Sequence, residues 1–396
     1  MEDFKFNEHL YKAVDFLKER NFEEKNLPQN MLENGLGGKV VDIMAANVLG
    51  NATYLDTPLS FAHMDPPTPW ITWIMSMWNA RLNQNLLHQE LSPFATKAEE
   101  LVIEWIKEYF GMDGGHMCNG SSIANLTALW VARDLKGIDT IIASEASHIS
   151  IVKAAKILNM KLIKVPTNID GSIDEEKLPE MKNAVLVLNV GTTCMGAIDN
   201  LKLIGKAKWT HIDAAYAGAL KFSARYADIL NGVERADSIS LSSHKWLYQP
   251  KDSAIVLFKD NKKAKEIMGF GSSYLSSSNI GIQGSKGANG VILLATLLYF
   301  GKKGIEKLLN NSMKNANLFY EKLKEIDEIE LFKKPVTGIT LFRPKAMEVN
   351  EFLSNLPKGV FSKCKVREIE YVRSVALNPM ADIEKIIDLI KITLKS

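Results

Sequence analysis

The sequence predicts an α/β protein, a large domain built on a mostly parallel sheet with helices on both faces and followed by a smaller α+β domain. Three observations predict it. Between residues 139 and 258 six short apolar runs, "DTIIAS", "KLIKVPT", "NAVLVLNV", "WTHIDAA", "DSISLS" and "SAIVLF", have the length and β-branched content of strands. Most are separated by helical patterns such as "IVKAAKILN" and "LKLIGKAK", the crossovers that parallel pairing requires. After about Gly290 the rhythm changes to two long helices, "VILLATLLYFGKKGIEKLL" and "MKNANLFYEKLKEI", then strands around "TGITLFRP" and "REIEYVRSVAL", and a closing helix "ADIEKIIDLIKITLK".

Taken in order, the opening 45 or so residues read as two polar-faced helices interrupted by "NLPQN" and "GLGG", an arm rather than a core. A new rhythm starts near Thr68. The helix "TKAEELVIEWIKEYFG" stops at Gly111, and "SSIANLTALWVARDLKG" opens on serines and stops at Gly137. The expected division is an N-terminal arm and the segment after it at 1–66, a large domain at 67–290 and a small C-terminal domain at 291–396.

Composition excludes several classes of function. With 396 residues the chain can bury a sizeable core. Its 48 Lys and Arg against 46 Asp and Glu give a net charge of +2, no drive toward nucleic acid or an anionic membrane. Runs such as "NKKAKE" at 261–266 are solvated faces. The most apolar stretch, "VILLATLLYF" at 291–300, is too short to span a bilayer core of about 30 Å. A start charged from its second residue lacks the apolar core of a leader. Cys118, Cys194 and Cys364, odd in number and far apart, fit neither a disulfide framework nor a zinc pattern. The expectation is a reducing cytoplasm and no metal.

The chemistry gathers at the predicted strand ends, where open α/β sheets bind their ligands. "CNGSSIAN" at 118–125 turns into a helix, "ASEASH" ends at His148, "NVGTT" at Thr193, "HIDAAYAG" holds Asp213, and "SSHKW" holds Lys245. Each has a plain structural reading: a turn and N-cap, a helix-start histidine, a buried structural acid, a turn lysine. Together they match one task. Ser121 and Ser122, free backbone N–H groups and a helix dipole converge on an anion such as a phosphate. A buried lysine with lowered pKa condenses with an aldehyde as a Schiff base. A carboxylate keeps a pyridine nitrogen protonated. This is the set of groups that pyridoxal 5'-phosphate needs.

The spacing of Asp213 in "HIDAAYAG" and Lys245, 32 residues later, resembles the group II pyridoxal-dependent amino acid decarboxylases, the family of aromatic-L-amino-acid, glutamate and diaminobutyrate decarboxylases. The resemblance runs from about residue 50 to 390 and includes "LSPFATKAEELVIEWI", "GTTCMGAIDN", "NGVERADSISLSSHKWL" and "YVRSVALNP". It implies fold type I of the pyridoxal-phosphate enzymes and a homodimer whose active sites lie at the subunit interface. Lys245 would hold the cofactor, Asp213 its pyridinium, and Ala215 and His148 the two ring faces. His148 would also approach the reacting carbon. Ser121, Ser122, Ser242 and His244 look like phosphate ligands, and Thr193 lies near the phenolic side. In "FAHMDPPTPW", Phe61, His63 and Pro66 resemble residues that shape the substrate pocket, and Arg373 matches a recurrent arginine of the C-terminal domain.

The chain departs from the family in three ways. It is shorter than the animal and plant members; "NGSS" stands where many relatives carry "GGT"; and the catalytic loop, "GFGSSYLSSSNIGIQG" at 269–284, is short and serine-rich. Tyr274, its single tyrosine, would protonate the quinonoid carbon or anchor the loop, and Gly284 and Ser285 would reach the phosphate of a partner subunit. The implied reaction is decarboxylation of an L-amino acid, or of an amino-acid-like group, to the amine and CO2. An aminotransferase or an aldehyde-releasing lyase of the same fold type would use the same lysine, aspartate and phosphate cup. Glu90 in "HQE" could present a carboxylate to an amine-bearing substrate.

Overall fold

The computed structural model describes residues 6–271, 273 and 279–395, in two compact units, Met1–Tyr54 and Leu55–Ser396. The first unit holds α1 (Glu8–Phe16) and α2 (Val40–Met44). The Asn7 side chain accepts the His9 N–H at the start of α1, and Lys12 pairs with Asp42 at 2.6 Å. α1 buries none of its residues, so short-range caps and ion pairs carry much of its order.

The second unit opens with α3 (Trp70–Leu82) and α4 (Pro93–Phe110), followed by β1 (Gly114–Cys118), α5 (Ser121–Lys136), β2 (Thr140–Ser144), α6 (Ile149–Ile157) and β3 (Lys161–Val165). Then come β4 (Ala184–Asn189), β5 (Trp209–Asp213), β6 (Ser238–Ser242), β7 (Ala254–Phe258) and α7 (Asn261–Met268). These seven strands form one sheet in the order β1-β7-β6-β5-β4-β2-β3, parallel except for β7, which runs antiparallel to both neighbours. Every residue of β4, β5, β6 and β7 is buried, which is why these strands read as unbroken apolar runs. β3 carries Lys161 and Lys164 at the sheet edge, where charge discourages further pairing. α4 ends on Gly111 and α5 on Gly137, both left-handed as the sequence predicts.

A short pair, β8 (Gly269–Phe270) and β9 (Asn279–Ile280), precedes α8 (Asn289–Leu323). A four-stranded antiparallel sheet follows, β10 (Ile329–Leu331), β11 (Ile339–Pro344), β12 (Ser362–Val366) and β13 (Ile369–Val375), ordered β10-β11-β13-β12, with α9 (Val349–Ser354) and α10 (Ile383–Thr393). Its core joins Phe319, Phe342, Phe352, Val372, Ile386 and Phe61.

Four expectations are corrected. "LKLIGKAK" forms only a 3-10 turn at Leu201–Leu203, because positive-φ Gly205 stops it. The break in the long helical stretch falls at Gly301 rather than between the two predicted segments, since glycine alone tolerates its φ of 60° and ψ of −179° at low cost. β10 and β12 are strands that the sequence does not announce: β10 spans only three residues, and β12, "SKCKV", alternates but carries few apolar residues. Cys194, in the loop after β4, and Cys364, in β12, form a disulfide with Cα atoms 5.8 Å apart across 170 residues of sequence. The sequence predicts no disulfide because no local spacing encodes it; the pairing arises where the loop meets the small sheet. Cys118 is free and buried. Among the described residues, no helix is long and apolar enough to cross a membrane, and no group of three or more His, Cys, Asp or Glu could hold a metal.

Candidate active site

β1, β4, β5 and β6 run parallel, so their carboxyl ends, Cys118, Asn189, Asp213 and Ser242, open on one edge of the sheet. A cavity of about 230 Å³ lies there, and it contains most of the residues predicted from sequence: Ser121, Ser122, His148, Thr193, Asp213, Ala215, His244 and Lys245. Met64 and Asn119 complete part of its wall.

The anion-binding end is built by the turn from β1 into α5. Gly120 has φ 92°, a conformation that a side chain would strain, and it directs the N-terminus of α5 into the cavity. The first N–H groups of α5 have no partner within the helix, and the macrodipole favours negative charge beside them. The hydroxyl of Ser121 meets that of Ser242 at the end of β6. Three hydroxyls, counting Ser122, thus surround one helix N-terminus.

Lys245 sits in the turn after β6, and its neighbours explain how an ionisable side chain is held there. Trp246 and Leu247 are fully buried and anchor the turn, while His244 N–H donates to the Ser253 carbonyl at 3.2 Å and ties it to β7. Tyr248, buried with φ 56°, closes it in the left-handed region. The Lys245 amine makes no hydrogen bond or ion pair among the described residues. Burial pushes its pKa below the ordinary value, with Asp213 and Asp65 opposing and Lys251 and Arg373 adding to the shift.

Asp213 ends β5 nearly buried. One carboxylate oxygen accepts from Asn125 Nδ2 at 2.9 Å, the other from the Ala215 N–H at 3.2 Å. His148 begins α6, and its Nδ1 accepts the Ser150 N–H at 3.2 Å. Partial burial draws the His148 imidazole below its usual pKa, Asp213 opposes this, and Lys245 and Lys153 reinforce it. His244 donates Nδ1–H to the Ser253 carbonyl at 3.1 Å, and burial with the Lys251 and Lys245 charges lowers its pKa to about 4.

A wider groove of about 500 Å³ shares Ala146, His148 and Thr193 with the cavity and is also lined by Cys194, Cys364 and Arg373. Arg373, on β13, is buried; its Nη1 donates to Ser362 Oγ at 3.1 Å, and its Nε has no partner. Burial lowers the pKa of its guanidinium.

The structure does not bring Phe61, His63 or Pro66 to the cavity wall. The stretch runs beside β13, with the Val375 N–H donating to the Phe61 carbonyl, and this registers the Phe61 ring into the small-sheet core, 5.3 Å from Phe319. His63 is exposed, Pro66 is buried, and Met64 of the same stretch lines the cavity instead. Ser285 is exposed and accepts from Asn85 Nδ2 at 3.0 Å. Glu90 is exposed, 3.7 Å from His88. Tyr274 lies outside the described residues. Sequence reasoning missed Asn125, Ser150 and His211; the i, i+4 spacing of Ser121 and Asn125, with Ala124 and Ala128 buried beside Asn125, was the available signal.

A ligand with an aldehyde, a ring nitrogen and a phosphate thus finds an unpaired buried amine, a carboxylate and a hydroxyl-lined helix N-terminus in one cavity, and the donor set fits pyridoxal 5'-phosphate. Residues 23–345 match the pyridoxal-dependent decarboxylase conserved domain. The chain belongs to that family. Similar proteins include the aspartate 1-decarboxylase of Aliivibrio fischeri, 25% identical over 92% of this chain and 80% of the relative. The L-2,4-diaminobutyrate decarboxylase of Rhizobium meliloti is 27% identical over 84% and 74%, and the aromatic-L-amino-acid decarboxylase of Bacillus atrophaeus 24% over 92% and 86%. Among solved structures, Oryza sativa TDC with PLP and tryptamine shares the fold at a TM-score of 0.86, with 20% identity over 99% of both chains. The decarboxylase is therefore a pyridoxal 5'-phosphate-dependent carboxy-lyase acting on an amino acid, built on the fold that its sequence predicts.

Proposed function

We propose that Lys245 is the residue that carries the cofactor and that Asp213, His148 and the Ser121–Ser242 cup divide the remaining work of an L-amino acid decarboxylase. The observation that carries this reading is the shared cavity: Lys245, Asp213, Ser121 and Ser122 line one space at the carboxyl ends of the strands. When bound, pyridoxal 5'-phosphate supplies an aldehyde for amine condensation and a ring that accepts the electron pair left by CO2.

Lys245, whose burial favours the neutral amine, is the nucleophile toward that aldehyde. Asp213 holds a proton at the ring nitrogen, and Ala215, beside it, is small enough to leave room for one ring face. His148 covers the other face. Ser121, Ser122, Ser242 and His244 take the phosphate, and Thr193 the phenolic side. Arg373, a buried guanidinium without a carboxylate partner, takes the substrate carboxylate from the groove. Ser285 and Gly284 are assigned to the phosphate of a partner subunit, and Tyr274 to proton delivery at the carbon that loses CO2.

The same reading makes the enzyme a homodimer. α3 buries Thr72 and Met75 while exposing Trp70, Trp73, Met77 and Trp78, an apolar stripe turned outward. Trp70 meets Tyr299 of α8, and Trp105 of α4 and Leu298 of α8 line an adjacent apolar cleft. A face of this kind is best covered by a second copy. Residues 67–290 serve as the cofactor-binding domain, 291–396 as the small domain, and 1–66 as the arm and the segment where substrate enters. We place the enzyme in the cytoplasm, because ionised amino acids and a phosphorylated coenzyme do not cross hydrocarbon unaided, and the Cys194–Cys364 disulfide is then an exception to the reduced state usual for cysteines there.

The test is direct. Purified protein supplied with pyridoxal 5'-phosphate should gain visible absorbance, be labelled at Lys245 on borohydride reduction, and release CO2 with an equimolar amine from one member of an L-amino acid panel. Aldehyde and ammonia in place of amine would assign it to the aldehyde-releasing lyases, and labelling at another lysine would refute the assignment of Lys245.

A further inference from the structure

Asn125 lies in the middle of the sheet-facing side of α5 with no exposed surface, and its side-chain amide is saturated at all four positions. Nδ2 donates to Asp213 Oδ2 and to Ser150 Oγ, each at 2.9 Å. Oδ1 accepts from His211 Nε2 at 3.0 Å and from Ser240 Oγ at 2.5 Å. The orientation of the amide is forced, because a carboxylate can only accept and the NH2 end must face Asp213.

From that one fact the remaining hydrogens follow. His211 must carry its proton on Nε2 to reach the Asn125 oxygen, so its Nδ1 accepts from the Ser238 hydroxyl at 2.9 Å. Ser238 in turn accepts from Trp209 Nε1, a group that can only donate, also at 2.9 Å. On the other side, Ser150 Oγ is already an acceptor toward Asn125, so its hydrogen is directed at His148 Nδ1, 2.9 Å away. The same Nδ1 accepts the Ser150 backbone N–H at 3.2 Å. Two donors on Nδ1 leave the His148 proton on Nε2, the nitrogen with no partner among the described residues.

We propose that Asn125 is a positioning residue that sets both acid–base groups of the site, orienting the Asp213 carboxylate directly and fixing, through Ser150, the Nε2–H form of His148. His148 therefore presents a donor to the cavity, suited to giving a proton or a hydrogen bond and not to removing a proton. The relay runs one way, from Trp209 through Ser238, His211 and Asn125 to Asp213 and His148. It stands on four buried elements, β5, β6, α5 and the start of α6, so thermal rotation of one hydroxyl cannot reverse it.

The charged and titratable groups acting on His148 are Asp213 on β5, Lys245 after β6 and Lys153 on α6. Arg373 and Glu145 share its groove. None of them donates to or accepts from Nδ1, so the tautomer is set by Ser150 alone.

The inference rests on the decarboxylase reading for its kinetic arm, whereas its spectroscopic arm stands without it. In cofactor-free protein labelled with 15N at its seven histidines, the long-range 1H–15N spectrum at pH 7.5 should show His148 with Nδ1 unprotonated and Nε2 protonated, the signals assigned by their loss in His148→Gln. An Nδ1-protonated or imidazolium signal would overturn the proposal, with no variant needed. In Ser150→Ala, which keeps the backbone N–H donor to Nδ1 but loses the hydroxyl, the share of the Nε2–H form should fall and kcat should fall about 10- to 100-fold with KM changed less than about twofold, while Ser150→Thr restores both. Asn125→Ala should lose as much or more. Variants that fold, keep the wild-type tautomer and turn over normally would show that Asn125 and Ser150 are packing residues. A fixed tautomer with no decarboxylation in any variant or in the parent would instead count against the assigned reaction.

Discussion

The strand-end cavity and the outer face of α3 depart from ordinary packing in opposite directions. The cavity buries polar and ionisable groups, Asp213, His211, Asn125 and Lys245, where a core would place aliphatic ones. The α3 face exposes Trp73 at 53% and Trp78 at 55%, where a surface would place charge. The difference lies in where each finds its partners. Around Asp213 every donor and acceptor of Asn125 is met within one chain, so this part of the site is complete in the monomer. In the indole stripe only edges are met within the chain, Trp73 Nε1 by Thr68 Oγ1 and Trp70 by Tyr299, and the proposed dimer would cover the exposed faces. On that proposal one region specifies chemistry and the other assembly.

The sharpest way to separate them is to remove the groups that only chemistry needs. Lys245→Ala should reduce decarboxylation by at least about a thousandfold and abolish borohydride labelling. Asp213→Ala should cost about 10²- to 10³-fold in kcat. In both, size-exclusion mass should match the parent, and a change in association would show that the two regions are not independent.

The converse pair is Trp73→Ser with Trp78→Ser. Exposed tryptophans that become buried in an interface are typical energetic centres, each contributing about 2 kcal/mol or more. The double variant should shift sedimentation from dimer to monomer at micromolar concentration. Because Ser285 is predicted to act across the interface, activity should fall with dimer content. A monomeric variant with full turnover would confine the site to one subunit.

The disulfide tests how far the cavity depends on its cross-link to the small sheet. Cys194 follows Thr193, which lines the cavity, and Cys364 lies in β12. Closing a loop of this length typically stabilises by about 2–4 kcal/mol. Cys364→Ser, or added dithiol, should lower the denaturant midpoint accordingly and raise KM, because Arg373 on β13, proposed to take the substrate carboxylate, is bonded to Ser362 of β12, while Ser121, Asp213 and Lys245 at the large sheet still hold the cofactor. An unchanged KM would place the hairpin of β12 and β13 outside substrate binding.

What was legible in the sequence follows the same division. β4 through β7 were readable because burial on both faces demands continuous apolar residues, and the strand-end cluster because polar groups interrupt those runs at fixed points. Asp213, Lys245 and the Ser121 turn carry that signal. Asn125, Ser150 and His211 do not: each has an ordinary structural reading, and their joint role exists only because α5, β5 and α6 meet in space. Phe61 misled for the same reason, since a stretch beside β13 alternates its faces and the register cannot be read locally. The Cys194–Cys364 pair, 170 residues apart, had no sequence signature at all. Local pattern encodes elements and their ends; contacts between distant elements it leaves open.

Acidification gives the smallest effect per step and bears on the cavity side of the contrast. Burial lowers the pKa of His211 and His244 to about 4 and of His116, on β1, to about 3. An unfolded histidine titrates near 6.5, so between that value and about 4 the unfolded chain binds more protons than the folded one. The contribution of these histidines is therefore complete above about pH 6.5 and is lost as the pH falls toward 4, by at most about 1.4 kcal/mol per unit for each. Urea midpoints at pH 7, 6 and 5 should decline in that order. His116→Gln should shallow the decline without touching turnover, because His116 packs under Gly281 and lines neither cavity nor groove. A flat profile would mean that these imidazoles open to water before the chain unfolds, and the cavity would then be a locally mobile region rather than the rigid counterpart of the α3 face.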